Sequence, residues 1–287
     1  MKLFFNGAAQ TVTGSQHLIE VNGHTLLLEC GIFQGRRADT YARNLNFPYK
    51  PSKVDAVILS HAHIDHSGNL PNLVKQGYNG PIYATAGTCA LANLMLLDSG
   101  HIQEADAAYL NKRRAKHGDL RQVEPLYTAN DAAQVEPLLR KVNYGQPFEP
   151  VPGVTARLLD AGHILGSAAV VLDVNENGRK FRLWFSGDIG RLKLPLLKDP
   201  VLPEAADILL MECTYGDKDH RDPEQAFQQF RQVVLRTSRR GGKVIVPAFA
   251  VGRTQELVYD LNRMITEGDL PPLPVYVDSP MAINATE

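Results

Sequence analysis

The sequence predicts an α/β protein in two parts, residues 1–215 and 216–287. Three observations carry this. In the first part, short apolar runs bounded by Gly, Asn and Pro read as strands, with helical stretches among them. After Tyr215, helices and apolar runs alternate in a βαβ rhythm, as expected for a parallel sheet with helices packed over it. One apolar run, VDAVILS, leads straight into HAHIDHSG at 61–68, a segment with three histidines and an aspartate in eight residues.

In order along the chain, MKLFF, QHLIEV and TLLLEC read as strands, and Asn22-Gly23 between the last two is a hairpin turn signal. VDAVILS (54–60) is a buried strand, NLPNLVKQG a short helix closed by Gly77, and PIYAT a further strand. Helical spacing from Gly87 to His117 predicts two helices with a break near Ser99-Gly100. TANDAAQVEPLLRKV predicts another helix, capped by Thr128 or Asn130, with Pro137 setting a kink or a late start. VTARLLD, AAVVLDV and FRLWFS return to strands, the last two joined at Asn177-Gly178, and ADILLMEC is one more. The second part reads as helix 223–238, strand KVIVPAF, helix GRTQELVYDLNRMITEG and strand PVYVDS.

Composition narrows the class. Of the 287 residues, 44% are hydrophobic and 21% charged, an ordinary globular balance. With a net charge of −1, a polyanion must be held by a local basic patch rather than by the overall field. Cys30, Cys89 and Cys213 form no CxxC and leave an odd count, which argues against a disulfide scaffold and for small core residues in a reducing compartment. The first residues are too short an apolar run for a signal peptide, and no stretch is long enough to cross a bilayer, so a soluble, cytoplasmic protein without a membrane partner is expected.

Imidazole nitrogens and carboxylate oxygens suit zinc and similar divalent ions. His61 and His63, two apart at a strand end, project to the same side, and Asp65 and His66 follow as the chain turns toward a helix. Four such residues crowd a single structural ion. The pattern suits two ions about 3.5–4 Å apart, bridged by an aspartate and a hydroxide. His163 in DAGHILGS and Asp188 in FSGDIGR each follow a strand and are flanked by glycines, so both can join the cluster at a common sheet rim. Alone, His163 would be an ordinary histidine; beside HAHIDHSG it is a candidate ligand.

In their order, HAHIDHSG, DAGHILGS and FSGDIGR resemble the signature motifs of the metallo-β-lactamase fold, an αββα sandwich. MECTYGD (211–217), VPAFAVGRTQE (246–256), PVYVDSPMA (274–282) and the opening GAAQTVTGSQHLIE resemble the β-CASP branch of RNA-processing and DNA-repair nucleases, especially its bacterial and archaeal ribonuclease-like members. The resemblance implies that 1–215 is the metallo-β-lactamase domain and 216–287 the start of an inserted β-CASP domain. It implies a first Zn2+ on His61, His63 and His163, a second on Asp65 and His66, and Asp188 bridging, with Mn2+ as the other candidate metal. Glu212 matches an acidic residue that orients a histidine serving as proton donor to the leaving group. That histidine and a last ligand histidine lie near the family's carboxyl end, and His220 matches neither position. The expectation is therefore a chain lacking roughly the last third of a typical member and weak or inactive alone.

The implied reaction is hydrolysis of single-stranded RNA by a metal-bridged hydroxide, giving 5′-phosphate and 3′-hydroxyl products. RNA contacts are sought at Arg36 and Arg37, at Arg113, Arg114 and Lys116, and at Arg239, Arg240 and Lys243, each run being equally readable as a solvated charged face. Arg253 opens a helix after a strand, where helix amides and a guanidinium can cradle a phosphate; Gly252 can equally serve only the turn. Tyr215 and Ser186 are candidate substrate contacts, and Ser186 and Ser167 can also hydrogen-bond around the ligands. His17, His24, His101 and His117 read as ordinary histidines. Two other functions stay open: a small-molecule ester or thioester hydrolase of the same superfamily, and a non-catalytic RNA-binding scaffold. Cleavage mode and oligomeric state, a homodimer included, are also open.

Overall fold

The computed structural model describes residues 1–220 and 222–286. Its core is two facing sheets. The first has six strands in chain order: β1 (Lys2–Phe5), β2 (His17–Val21), β3 (His24–Leu28), β4 (Ala56–Ile58), β5 (Ile82–Ala84) and β6 (Leu139–Lys141). β1, β2 and β3 are antiparallel, while β3 to β6 run parallel. The Asn22-Gly23 turn has φ of +50° and +81°, the mirror-image hairpin turn expected of that dipeptide. The second sheet contains β7 (Phe148–Val151), β8 (Val154–Asp160), β9 (Ala168–Glu176), β10 (Arg179–Phe185) and β11 (Ile208–Leu210), ordered β11-β10-β9-β8-β7.

Alternation along the strands explains the packing. Ile19, Val21, Leu26, Leu28 and Ile58 of the first sheet meet Val154, Leu158, Val170, Leu172 and Leu183 of the second in one apolar layer. The opposite face of the first sheet, with Leu27, Val57, Leu59 and Ile82, is covered by α3 (Leu70–Lys75), α4 (Ala86–Lys116) and α5 (Ala129–Ala133). The shorter helices α1 (Arg37–Leu45) and α2 (Ile64–Ser67) flank the loops that leave β3 and β4.

The helical layer corrects two expectations. Residues 86–116 form one unbroken helix, not two. Gly100 is a contact point rather than a break: a Cβ there would lie 2.6 Å from the backbone nitrogen of Ala129, so the glycine lets the start of α5 press against α4. The predicted helix over 128–142 is only α5, capped by Thr128, followed by a single 3₁₀ turn at Glu136–Leu138 and then β6. Pro137 ends helical pairing there, and the edge of the parallel sheet takes up the apolar residues beyond.

Beyond residue 215, α6 (Pro223–Arg239) and α7 (Arg253–Thr266) lie where their apolar spacing predicts, followed by the short α8 (Pro280–Asn284). Phe227, Val234, Met264 and Leu270 form a small separate core between them. The two strands expected around these helices, 243–249 and 274–279, are not formed. Ile245 is 90% exposed and Tyr276 88%. A strand exists only with a hydrogen-bonding neighbour, and neither segment has one among the described residues. No helix among the described residues is long and apolar enough to cross a membrane.

Candidate metal centre

The rim where β4, β8 and β10 end brings the histidines and aspartates of three distant motifs together. His63 caps α2, and its Nδ1 lies 3.1 Å from Nε2 of His61 and 3.1 Å from Nε2 of His163. Asp188 Oδ2 is 3.7 Å from His61 Nε2 and 3.5 Å from His163 Nε2. These four donor atoms lie within 4.8 Å of one another. The other oxygen of Asp188, Oδ1, lies 3.2 Å from His66 Nε2. Asp65 Oδ2 is 3.8 Å from the same nitrogen.

Short backbone contacts fix this geometry. Ser15 donates its N–H to the Asp65 carbonyl, and Cys30 donates to the carbonyl of His66. Gly31 lies so close to Asp65 that a Cβ would overlap its carbonyl oxygen. The His163 loop is wound around Ser167, whose Oγ accepts from the N–H groups of His163 and Ile164. Thr85 and Thr88, at the start of α4, donate to the carbonyl of Gly166 and tie that loop to the helix.

Glu29 is a candidate site residue that the sequence reading missed. It is fully buried at the end of β3 with φ +65°. Its carboxylate accepts the Ser60 N–H at 2.6 Å, the Ser60 hydroxyl at 3.0 Å and the His66 Nδ1–H at 2.6 Å. The Ser60 oxygen in turn lies 2.9 Å from His61 Nδ1 and, having given its proton to Glu29, accepts from it. One carboxylate thus orients both rings. His61 carries its proton on Nδ1 with the Nε2 lone pair aimed into the cluster, the arrangement that makes an imidazole a good ligand, while His66 is fixed through Nδ1 with its Nε2 turned toward Asp188. The signal was visible in TLLLEC, where a single ionisable residue ends an otherwise apolar strand.

Electrostatics follow from burial and crowding. Burial, reinforced by neighbouring imidazoles, keeps His61 far below its ordinary pKa, and it lowers His63 to about 4. Burial alone would raise the Asp188 carboxyl, but the hydrogen bond from His66 and the surrounding histidines hold it below its usual range. His66 is disfavoured as a cation by burial, yet its hydrogen bonds to Asp188 and Glu29 prevail and raise it. Neutral His61, His63 and His163 and an ionised Asp188 are the forms that bind a divalent cation, so this part of the cluster fits such an ion chemically as well as in space. His66, held as a cation, and Asp65, whose carboxyl burial raises, would release protons on binding one.

Around the cluster, Glu212 accepts the N–H of Ile189 at 2.8 Å and braces the turn that carries Asp188. Ser186, a candidate substrate contact, is 1% exposed; its hydroxyl donates to the Gly187 carbonyl, and its oxygen accepts from the Glu212 N–H. Like Ser167, it hydrogen-bonds to the backbone of the loops that carry the cluster. Tyr215 is exposed, with its ring centroid 4.0 Å from that of His220 and the two planes tilted by 39°. Arg253 is the first residue of α7 but is paired with Glu256 at 2.6 Å, and the N–H of Gly252 is taken by Gln255. Gly252 itself has φ +86°, so the turn requires it whatever Arg253 binds. Cys30 and Cys89 are buried as expected, whereas Cys213 is exposed in the turn after β11.

A sandwich of two sheets with this cluster at its rim defines a class, and sequence comparison supplies the same one. Residues 10–156 match the family model described as "Metallo-beta-lactamase superfamily". The chain belongs to that superfamily and, with the relatives it resembles, to its β-CASP branch. "Ribonuclease TTHA0252" of Thermus thermophilus is 39% identical over 284 residues, covering 98% of this chain and 59% of the relative. "Transcription termination factor FttA" of Lokiarchaeum is 32% identical over 277 residues, covering 95% of this chain and 41% of the relative. The same-named protein of Methanothermobacter thermautotrophicus is 34% identical over 280 residues, with 95% and 41% covered. The chain therefore spans less than two thirds of the length of the curated relatives it matches.

Proposed function

We propose that the protein is a ribonuclease with two metal ions, acting on phosphodiester bonds of single-stranded RNA. The observation that carries this is the orientation of Asp188. One carboxylate oxygen faces His61 and His163, and the other faces His66, beside Asp65. In this reading His61, His63, His163 and Asp188 hold the first ion, and Asp65, His66 and Asp188 the second. A donor set dominated by imidazole favours zinc, with manganese as the second candidate. When bound, such ions would lower the pKa of a metal-held water and neutralise charge on the scissile phosphate.

The chain's own residues do the rest. Glu29 and Ser60 orient the rings of His61 and His66. Glu212 holds the turn of Asp188, so a substitution there acts by misplacing the bridge. Tyr215, exposed beyond Glu212, would offer its ring to a nucleobase. RNA as substrate is supported by the names of the relatives, two of which are termination factors and one a ribonuclease. The division into units 1–215 and 216–287 belongs to the same proposal and is supported by the separate core around Met264.

The test is metal analysis together with RNA cleavage. Protein purified without chelator should carry close to two equivalents of metal and cut single-stranded RNA, slowly, to 5′-phosphate ends. Asp188→Ala should lose cleavage and at least one equivalent of metal. A metal-free protein that still cuts, or an Asp188→Ala variant with full activity, would sink the reading.

A further inference from the structure

Helix α4 is far longer than its packing requires. From Ala86 to Gly100 it buries Thr88, Cys89, Leu91, Ala92, Met95 and Leu96. From His101 to Lys116 only Ala107 is buried. This outer half is nevertheless held firmly on one side. Asn111 exchanges two hydrogen bonds with Val123, at 2.7 and 3.0 Å, Gln103 accepts from Leu126, and Arg114 donates to the Arg121 carbonyl. Residues 103, 107, 111 and 114 thus form the face gripped by the returning segment 118–127.

At 100° per residue the opposite face carries Tyr109, Lys112, Arg113 and Lys116, spaced i, i+3, i+4 and i+7. All four are exposed, Tyr109 by 64%, and among the described residues no carboxylate pairs with the three cations. The one nearby acidic residue on this face is Asp106, a turn before Tyr109. Basic residues in a last turn can simply complement the helix dipole. That does not account for a large aromatic ring left in solvent in line with them. A stacking ring beside unpaired cations is the combination that holds single-stranded nucleic acid.

We propose that this outer face of α4 is a binding site for single-stranded RNA apart from the metal centre, with Tyr109 stacking a base and Lys112, Arg113 and Lys116 holding phosphates. The proposal rests on the ribonuclease reading above and extends it. The first turn of α4 touches the His163 loop, and Tyr109 stands 23 residues further on, about 35 Å along the axis. Only an RNA long enough to reach both places would feel the second site.

The intact, metal-loaded chain would be compared with a triple variant, Lys112→Gln, Arg113→Gln and Lys116→Gln, and with Tyr109→Ala. Binding of a long single-stranded RNA would be followed by fluorescence anisotropy across a salt series. Hydrolysis of a small nitrophenyl phosphodiester and metal content would be measured in parallel. The triple variant should bind long RNA about tenfold more weakly at low salt, with the log–log salt slope reduced by roughly 2, at about 0.7 per lost phosphate contact. Tyr109→Ala should weaken binding by about tenfold with the slope unchanged. Metal content and small-substrate hydrolysis should stay at the starting level in both. If the triple variant keeps its affinity and slope while the unaltered chain binds and cuts RNA, the proposal fails and the face belongs to another partner, such as an acidic protein surface. If the unaltered chain neither binds nor cuts RNA, the ribonuclease reading itself falls, and this site with it.

Discussion

Residues 1–215, which carry the candidate metal centre, and the segment after residue 215 both contain apolar runs, yet they fold to different degrees. VDAVILS and KVIVPAF are similar sequences by any local measure. The first becomes β4, wholly buried between β3 and β5. The second has no strand partner among the described residues and leaves Ile245 and Phe249 in solvent. The lesson is that an apolar, β-branched run states a capacity to pair, and the stabilisation comes only with the neighbour. The loops of the candidate metal centre follow strands paired on both sides; the second unit has the small core around Met264 and a contact of Val251, Met281 and Ala285 with the helical face of the first sheet.

The contrast can be tested by substitutions, starting with the most severe. Glu29→Ala removes the acceptor of three buried hydrogen-bond donors, and breaking such a buried pair costs about 3–5 kcal/mol. The denaturant midpoint should fall accordingly, and metal affinity should drop by about 10–100-fold as His61 and His66 lose their orientation. Next, the same change can be made in the two similar runs. Ile58→Thr buries an unpaired hydroxyl in the layer between the sheets and should cost about 2–4 kcal/mol. Ile245→Thr, its counterpart in the second unit, should stay within about 0.5 kcal/mol in either direction. Equal losses at the two positions would show that residues 243–249 are packed after all.

Acid stability gives a third measure of the buried half. His17 stands edge-on between the rings of Phe5 and Phe185, its Nδ1 has no partner, and burial lowers its pKa from 6.5 to about 4. Because the folded value lies below the unfolded one, the unfolded chain takes up the proton first as pH falls. Stability should therefore decline between pH 6.5 and 4 by up to about 1.4 kcal/mol per unit. A His17→Phe variant should show a shallower decline over that window in pH-dependent urea unfolding; an unchanged slope would remove His17 from the account. A smaller effect is expected at the helix contact. Gly100→Ala sets a methyl 2.6 Å from the Ala129 backbone and should destabilise by about 1–3 kcal/mol, whereas a true helix break would make the same change stabilising.

Much of the architecture is legible in the sequence. The strands from β1 to β5 and from β8 to β10 follow their apolar runs, and both Asn-Gly turns fall where they are read. The six metal-type residues could be picked out because each stands at a strand end beside glycine or another such residue. Other features were not legible for definite reasons. Gly100 looks like a helix breaker, and only the position of α5 reveals it as a site of close approach. Glu29 looks like the polar end of a strand until Ser60 and His66 are seen around it. Ser186 looks open to solvent until its burial and its partners, Gly187 and Glu212, are seen.

By itself, then, the sequence determined the donor set and the local elements that carry it, since ligand chemistry and strand or helix period are written within a few consecutive residues. Tertiary structure decided which carboxylate orients the histidines, which glycine is a contact, and which apolar runs become strands. Those outcomes depend on groups tens to hundreds of residues apart meeting at hydrogen-bond distance, and no local pattern encodes such a meeting.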